Sequence, residues 1–274
     1  MKGLDLIVCV KQVPSPEAPL SVVEIDSKKL QVRVRGLPPE INPLDGTALE
    51  AALQLREAHG GKITVLSVGD RLSEGVLRKV LAAGADELIT VQGEGLNDLD
   101  SYSTALILYK AIKKIGEYDL ILTGKQSADW NSEQTGLILA ELLKVPAVNS
   151  VKKIEIVDRE ALLTTVRTGG YDVVKAPLPL LATVSSELGE LRYISLIALK
   201  KAREKPIKIW RIEDLQLDAS MLKKRKVVEL LKPKLERVCT LIEGRTPEEK
   251  GKNLAIKLRD ALRTLSSNNK PSTS

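Results

Sequence analysis

Short apolar runs alternate with helical patterns through the first two thirds of this sequence, and few folds accommodate that alternation. Five runs have the length and composition of buried strands, at residues 6–10, 63–68, 88–91, 120–122 and 180–184. Helical periodicity occurs between them, near residues 43–58, 73–83, 100–115 and 133–144. Strands that alternate with helices predict right-handed crossovers and a doubly wound, mostly parallel α/β sheet.

Two segments depart from this alternation and have antiparallel patterns. Residues 22–34 predict a hairpin inserted after the first strand. Residues 149–175 predict an antiparallel pair that turns near Asp158 and ends before Gly169. The sequence contains no tandem repeat, so one continuous sheet with these additions is the expected architecture.

The alternation stops at about residue 205. We therefore expect an α/β domain over residues 1–205 and a C-terminal arm over residues 206–265. Residues 206–211 look like an isolated extended segment. An arm with little core of its own is expected to pack on a partner subunit, and the alternative is a helix that folds back on the sheet.

The arm contains one clear helix signal. Thr246 is a suitable N-cap, Pro247 suits the first helical position, and Glu249 completes a capping box, so a helix through about Leu265 is expected. The polar residues 266–274 predict a disordered tail.

A polar loop follows the apolar run at residues 120–122 and leads into a helical pattern. Backbone N–H groups at a helix N-terminus hold anions, and doubly wound sheets bind ligands beyond the carboxyl ends of their strands, where strand order switches. The loops after Val10, after Val68 and at residues 124–135 have that placement. The alternative that the pattern leaves open is an ordinary strand-to-helix loop with capping residues.

Composition excludes several kinds of site. The single histidine, His59, leaves no histidine-based triad or metal cluster to propose, and Cys9 and Cys239 lack the spacing of a disulfide framework or a thiolate metal site. No catalytic residue and no metal ligand are predicted. Both cysteines are expected to be packed or incidental thiols.

The positive charge of the chain is concentrated in one segment. Residues 200–237 contain 13 Lys and Arg against 6 Asp and Glu, although the whole chain has a net charge of only +6. Nucleic-acid binding is disfavoured because the chain has no Phe and Trp210 is the only aromatic residue in this segment. A solvated basic surface, or one that steers an acidic protein partner, is expected instead.

The chain shows no sign of membrane targeting. No window approaches the roughly 20 apolar residues of a membrane span, and the residues after Met1 lead directly into a strand rather than a signal peptide. A cytoplasmic protein without membrane insertion is expected.

Five separated motifs together resemble the beta subunit of electron transfer flavoproteins. They are Val-Cys-Val-Lys-Gln-Val-Pro at residues 8–14, Asn-Pro-Leu-Asp-Gly-Thr-Ala-Leu-Glu-Ala-Ala at 42–52, Leu-Arg-Lys-Val-Leu-Ala-Ala-Gly-Ala-Asp at 77–86, Gly-Lys-Gln at 124–126 with Gln-Thr-Gly at 134–136, and Leu-Arg-Tyr-Ile-Ser-Leu at 191–196. The similarity runs in order to about residue 210. It implies an α/β sheet of the adenine nucleotide alpha hydrolase-like type.

The resemblance also implies cofactors and partners. An electron transfer flavoprotein is a heterodimer whose alpha subunit carries the redox-active FAD, and its beta subunit binds AMP or, in electron-bifurcating members, a second FAD. The expected partners are the alpha subunit and flavin-containing dehydrogenases or oxidoreductases. The opening motif and the Thr-Pro-Glu-Glu-Lys sequence of the arm are more similar to the bifurcating or nitrogen-fixation-associated branch.

Carried over residue by residue, the resemblance implies a nucleotide site at the three loops already identified. Asn42 and Asp45 are expected to bond ribose or base atoms, and the helix start at Gln134 and Thr135 is expected to hold phosphate. The implied residues are Cys9, Asn42, Pro43, Leu44, Asp45, Val68, Gly124, Lys125, Gln126, Ser127, Ala128, Asp129, Trp130, Asn131, Ser132, Glu133, Gln134 and Thr135. Two residues depart from the family pattern: Trp130 is bulky where the family usually has small or acidic residues, and Glu133 adds negative charge close to the expected phosphate.

The resemblance further implies a recognition loop over residues 185–203. Leu196 stands at the position of the family's anchor leucine, and an apolar anchor beside cations suits docking. The implied docking residues are Arg192, Tyr193, Leu196, Lys201 and Arg203. From the pattern alone, Leu196 could instead be a core residue at the start of a helix.

An alternative function of another class is a free-standing nucleotide-binding sensor or hydrolase on the same sheet. It would account for the loop at residues 124–135, but not for the arm or for the basic recognition segment.

Overall fold

A computed structural model describes residues 3–96, 99–217, 222, 225, 227–233 and 239–268. The chain separates into two compact units, residues 1–230 and residues 231–274. Each unit is described by itself.

The first unit is built on one nine-stranded sheet. Its strands are β1 (Leu4–Cys9), β6 (Gly61–Gly69), β7 (Glu87–Gln92), β8 (Leu120–Gly124), β9 (Ala147–Val157), β10 (Glu160–Arg167), β11 (Gly170–Pro177), β12 (Leu180–Val184) and β13 (Ile207–Trp210). Their spatial order is β11-β10-β9-β12-β8-β1-β6-β7-β13. In this spatial order, the seven strands from β9 to β13 pair in parallel with their neighbours. The strands β10 and β11 extend the sheet beyond β9 by antiparallel pairing. The predicted doubly wound, mostly parallel sheet is confirmed.

Two small strand pairs lie between β1 and β6 in the chain. The predicted hairpin is confirmed as β3 (Val23–Asp26) and β4 (Gln31–Val34), which form a two-stranded sheet of their own. The strands β2 (Gln12–Val13) and β5 (Glu40–Ile41) pair across the base of this insertion.

Helices cover both faces of the sheet, as the period-2 pattern of the buried strands requires. In β1, Leu6 and Val8 pack in the layer that contains α1 (Pro43–His59) and α2 (Glu74–Ala83), whereas Ile7 and Cys9 pack in the other layer. That second layer contains α3 (Ser101–Ile115) and α4 (Thr135–Leu143). A short helix, α5 (Leu196–Ala202), packs beside α2.

Two edge strands were not anticipated correctly. Residues 206–211 do not form an isolated segment, because β13 pairs with β7 in parallel and extends the main sheet. The predicted antiparallel pair over residues 149–175 is in fact a three-stranded meander, since β11 pairs with β10 after the turn at Gly169. Both missed strands expose at least half of their side chains and include charged residues, so neither forms a continuous apolar run.

The second unit contains the helix α6 (Pro247–Asn268). Thr246 caps it as predicted, because its Oγ1 accepts a hydrogen bond from the Glu249 N–H at 3.2 Å. The Glu249 carboxylate accepts from the N–H of Arg245 at 2.7 Å, one residue before the cap. Residues 266–268 are helical rather than part of a disordered tail, and residues 269–274 lie outside the described residues.

Close packing of α4 on the sheet requires glycine at residue 136. A Cβ atom added to Gly136 would lie 2.7 Å from Thr123 Oγ1 and 3.0 Å from Thr183 Cγ2, so the helix or the strands would have to move. We expect Gly136→Ala to lower the free energy of unfolding by about 1–3 kcal/mol, although alanine favours helix formation. Urea denaturation measures this change.

The matched control is Gly75→Ala in the first turn of α2, where the nearest atom to an added Cβ is Ser73 Oγ at 3.6 Å. This variant should be no less stable than wild type. Equal stability of Gly136→Ala and wild type would show that α4 does not need the close approach.

Candidate functional site

The candidate crevice lies at the carboxyl ends of β1 and β8, where strand order reverses. The chain runs outward through β1, β6 and β7 and then returns to place β8 on the other side of β1. A doubly wound sheet has its ligand crevice at such a switch point. The segments that meet here are the residues after β1, the start of α1 and the loop of residues 124–134.

Asp45 joins the ends of the two central strands. It lies in the first turn of α1 and is 7% exposed. Its carboxylate accepts the N–H of Lys11, just beyond β1, at 2.7 Å and the N–H of Gly124, the last residue of β8, at 3.0 Å. Both strand ends and the helix start are therefore held by one side chain.

Gly124 is required by this arrangement. An added Cβ would lie 2.5 Å from Asp45 Oδ1 and 2.8 Å from Leu44 Cβ, closer than real Cβ contacts. The glycine that ends β8 allows the start of α1 to approach the strand.

Asn42 holds the loop through both ends of its amide. Its Nδ2 donates to the carbonyl oxygen of Gln126 at 2.9 Å, and its Oδ1 accepts the N–H of Ala128 at 2.9 Å. Asn42 is 1% exposed. The resemblance implies ribose or base contacts for Asn42 and Asp45, and in the structure their polar atoms hold the loop and the strand ends.

Lys11 is the residue of this site that the sequence analysis missed. Its ammonium group contacts both carboxylate oxygens of Asp129, at 2.6 and 2.7 Å, and Ser127 Oγ at 3.4 Å. In the sequence, only its place in the motif at residues 8–14 pointed to a role for Lys11. Its contact with Asp129 could not be inferred because 118 residues separate the two. The ion pair stays partly exposed at the mouth of the crevice.

The loop ends at an uncapped helix. Asn131 and Glu133 adopt left-handed φ angles of 48° and 55°. Within the described chain, no side-chain hydrogen bond from Gln134 caps α4, whose first residue is Thr135. The first N–H groups of a helix have no partners inside it, so they are suited to an anion.

The two departures from the family pattern have different surroundings. Glu133 forms an ion pair with Lys125 at 3.3 Å, so a cation offsets its negative charge beside α4. Trp130 is 51% exposed, and Ser132 accepts a hydrogen bond from the hydroxyl of Ser101, the first residue of α3, at 3.0 Å.

Cys9 and Val68 lie at the ends of β1 and β6. Cys9 is buried, and this burial, together with the nearby negative charge of Asp45, raises the pKa of its thiol well above the usual range. The thiol is therefore neutral and unreactive. Val68 is half-buried at the end of β6.

The recognition segment is attached to the middle of α1. The Arg192 guanidinium contacts Glu50 at 2.8 and 2.9 Å and also pairs with Glu57. Burial opposes ionisation of Glu50, but the hydrogen bonds from Arg192 outweigh it and hold the pKa of Glu50 below its usual range. Thr47 Oγ1 donates to the carbonyl oxygen of Gly189 at 2.7 Å. Arg192 thus anchors the segment to the helix.

The end of this segment presents apolar side chains to solvent. Tyr193 is 90% exposed, Leu196 81% and Ile197 70%, so Leu196 is not a core residue. Ser195 caps α5 by accepting the N–H of Ala198 at 3.2 Å, while Lys201 and Arg203 are exposed at its far end. Of the predicted docking residues, Tyr193, Leu196, Lys201 and Arg203 are exposed, whereas Arg192 is paired within the chain.

Some features are absent from the described part of the chain. No group of three His, Cys, Asp or Glu side chains there could hold a metal ion. Cys9 and Cys239 are free thiols. Among the described helices, none has both the length and the apolar composition needed to span a bilayer.

The switch-point crevice defines a doubly wound α/β protein with a loop suited to an anionic ligand. Comparison with known proteins gives the family. The model of the electron transfer flavoprotein domain matches residues 30–215. The chain belongs to the electron transfer flavoprotein family and, within it, to the beta subunits.

Three relatives illustrate the breadth of the match. The electron transfer flavoprotein subunit beta of Thermoanaerobacterium thermosaccharolyticum is 35% identical over 89% of this chain and 94% of its own length. The caffeyl-CoA reductase-Etf complex subunit CarD of Acetobacterium woodii is 33% identical over 94% of this chain and 98% of its own length. Protein FixA of Azorhizobium caulinodans is 33% identical over 77% of this chain and 76% of its own length.

Burial of Asp45 predicts a dependence of stability on pH. Burial raises the pKa of Asp45 from 3.8 to about 6, against the opposing effect of its hydrogen bonds. Between these values the folded protein binds a proton that the unfolded chain does not. This contribution to stability, about 3 kcal/mol, is complete below pH 4 and is lost as the pH rises through 6.

Asp45→Asn removes this contribution and also leaves one backbone N–H without an acceptor. The difference in free energy of unfolding between wild type and Asp45→Asn should therefore shrink from pH 4 to pH 7.5, which urea denaturation at both values measures. Asp158→Asn, in the exposed turn between β9 and β10, is the matched control for loss of one carboxylate. If the difference in free energy of unfolding between wild type and Asp45→Asn does not change with pH, the pKa of Asp45 is not raised in the folded protein.

Proposed function

We propose that this chain is the beta subunit of a heterodimeric electron transfer flavoprotein, binds an adenine nucleotide in the switch-point crevice and docks flavin-containing dehydrogenases through residues 185–203. The observation that carries the proposal is the crevice itself. Asn42 and Asp45 hold a polar loop, next to an uncapped helix, at the ends of the central strands.

The residues present fit the phosphate of an adenine nucleotide. The uncapped start of α4 offers backbone N–H groups, and Lys125 offsets the one carboxylate there, that of Glu133. Lys11 and Asp129 supply polar groups at the mouth of the crevice. An anion at this position would replace water around N–H groups that have no intrahelical partner.

The apolar side of the crevice suits a base. Cys9 and Val68 lie at the strand ends, with a thiol that stays neutral. Backbone groups at the ends of β1 and β6 are the donors and acceptors that could recognise adenine edges. Asn42 and Asp45 act in this proposal as positioning residues.

The candidate nucleotides are AMP and a second FAD. A bound flavin supplies the electron transfer, and the residues of this chain bind it, orient it and position the docking partner. The similarity to CarD and FixA supports a member of the bifurcating or nitrogen-fixation-associated branch, which predicts FAD in this crevice.

Two surfaces of the chain are proposed for protein partners. Leu196, Tyr193 and Ile197 offer an exposed apolar anchor with Lys201 and Arg203 nearby in sequence, and Arg192 fixes the segment on α1. An exposed apolar group provides affinity, and the cations accelerate encounter with an acidic surface. The helix α6 exposes Leu254, Leu258 and Leu262, which we propose are covered by the alpha subunit.

Nucleotide content tests the first half of the proposal. The co-expressed heterodimer is purified, dialysed and denatured, and the released FAD and AMP are counted per heterodimer. We expect Asp129→Ala to weaken nucleotide binding about tenfold, because the loop loses the ion pair with Lys11. Asn42→Ala, which removes both loop contacts, should have a larger effect.

Asp172→Ala, which removes a carboxylate from the exposed β11, is the control. Circular dichroism separates loss of nucleotide from loss of fold. Full occupancy in both loop variants, with nucleotide bound elsewhere, would refute the crevice assignment.

Truncation of Leu196 tests docking. Leu196→Ala should keep nucleotide content and stability unchanged but weaken the apparent affinity for a partner dehydrogenase about thirtyfold, the cost of losing an anchor worth about 2 kcal/mol. Steady-state electron transfer at varied heterodimer concentration measures this affinity. Val157→Ala, another exposed apolar residue at the end of β9, is the control and should behave as wild type. Unchanged affinity in Leu196→Ala would exclude the residue as an anchor.

A further inference from the structure

A second cavity, of about 730 Å³, lies at the same edge of the sheet as the crevice but at other strands. Its residues follow the ends of β6, β7 and β13, and the hairpin of β3 and β4 completes it. They are Lys29, Gln31 and Arg33 from the hairpin, Asp70 and Arg71 after β6, Gln92, Gly93 and Glu94 at β7, and Ile209 and Arg211 at β13. The proposed nucleotide site uses none of them.

Two arginines of this cavity have side chains with no partner among the described residues, whereas most arginines of the sheet domain pair with a carboxylate. Arg56, Arg159 and Arg167 each pair with an aspartate of the chain. Among the described residues, the guanidinium groups of Arg71 and Arg211 have neither an ion-pair partner nor a hydrogen-bond acceptor. Both side chains are exposed, so their donors are available to a ligand.

The cavity carries a surplus of positive charge. Four cationic side chains line it against two carboxylates, those of Asp70 and Glu94. The carboxylate of Asp70 already accepts the N–H of Leu96, and Arg33 has an ion pair with Asp26 at 3.5 Å. Asp26 therefore offsets the charge of Arg33, whereas Arg71 and Arg211 can each face a ligand, and a phosphate monoester carries about −1.5 to −2 charges at pH 7.

An apolar surface lies among these charges. Ile209, on the edge strand β13, is 60% exposed although it is a large aliphatic residue. The cavity volume is in the range of sites for small organic molecules. Guanidinium groups bind phosphate through paired hydrogen bonds, and the apolar residue can contact an organic group.

We propose that this cavity binds a phosphorylated small organic molecule, with its phosphate on Arg71 and Arg211 and its organic part against Ile209. The site is separate from the nucleotide crevice. It is formed by strand ends on one side of β1, whereas the crevice centres on β1 and β8.

Titration calorimetry of the co-purified heterodimer with phenyl phosphate tests the proposal. Benzoate offers the same ring with one negative charge, and inorganic phosphate offers the charge without the ring. Phenyl phosphate should bind more tightly than either. Arg71→Gln and Arg211→Gln should each weaken it about tenfold, and the double variant about a hundredfold.

Two control variants locate the binding. Arg167→Gln removes one positive charge from β10, away from the cavity, and should leave the affinity for phenyl phosphate unchanged. Asn42→Ala should also leave it unchanged, even where nucleotide content falls. Failure of the nucleotide proposal therefore does not affect this result.

Three outcomes would overturn the proposal. The first is the absence of phenyl phosphate binding at millimolar concentration in the wild type. The second is benzoate binding as tight as phenyl phosphate, which would remove the phosphate assignment. The third is binding that the double arginine variant retains or that Asn42→Ala abolishes, since the probe would then occupy another site.

Discussion

The geometry of the crevice depends on two hydrogen bonds, both accepted by Asp45. Parallel strands leave backbone N–H groups unpaired where their ladder ends, and β1 and β8 end side by side although more than a hundred residues separate them in sequence. One carboxylate accepts the N–H of Lys11, just beyond β1, and that of Gly124, the last residue of β8, and so fixes the start of α1 between them. Burial of this carboxylate has a cost, which appears as its raised pKa.

The helix α1 connects the two regions to which we assign function. Its N-terminus holds the loop through Asn42, and its middle holds residues 189–192 through Thr47 and Glu50. These two attachment points are about 12 Å apart at 1.5 Å per residue along a rigid helix. A change in the loop that tilted α1 would therefore also move the segment that carries Leu196.

Long apolar and helical periodicities made most of the fold predictable. The central strands and α1 to α4 lie where the sequence pattern predicted them, because each has a buried face with a regular period. The edge strands β11 and β13 were not recognised. Both are at least half exposed and contain charged residues such as Asp172 and Lys208, so their sequences lack a strand pattern and only pairing with a neighbouring strand defines them. Pairing with β10 and β7 is tertiary information.

The sequence pattern indicated where the loop lies but not which residues hold it. The loop position followed from the end of an apolar run, but the partners of Asn42, Asp45 and Lys11 lie 34 to 118 residues away along the chain. Short-range patterns contain no trace of such contacts. The same holds for Arg192, whose pairing with Glu50 spans 142 residues and turns an expected docking cation into an internal anchor.

The hairpin of β3 and β4 forms a sheet of its own and shares no ladder with the nine-stranded sheet. Its length and side chains are therefore under few constraints from the register of the central strands. The crevice, by contrast, is fixed by backbone groups of β1 and β8 that cannot shift without disturbing the whole sheet. Substitutions in the hairpin are therefore expected to change the lining of the cavity at residues 29–33 while leaving the strand ends of the crevice in place.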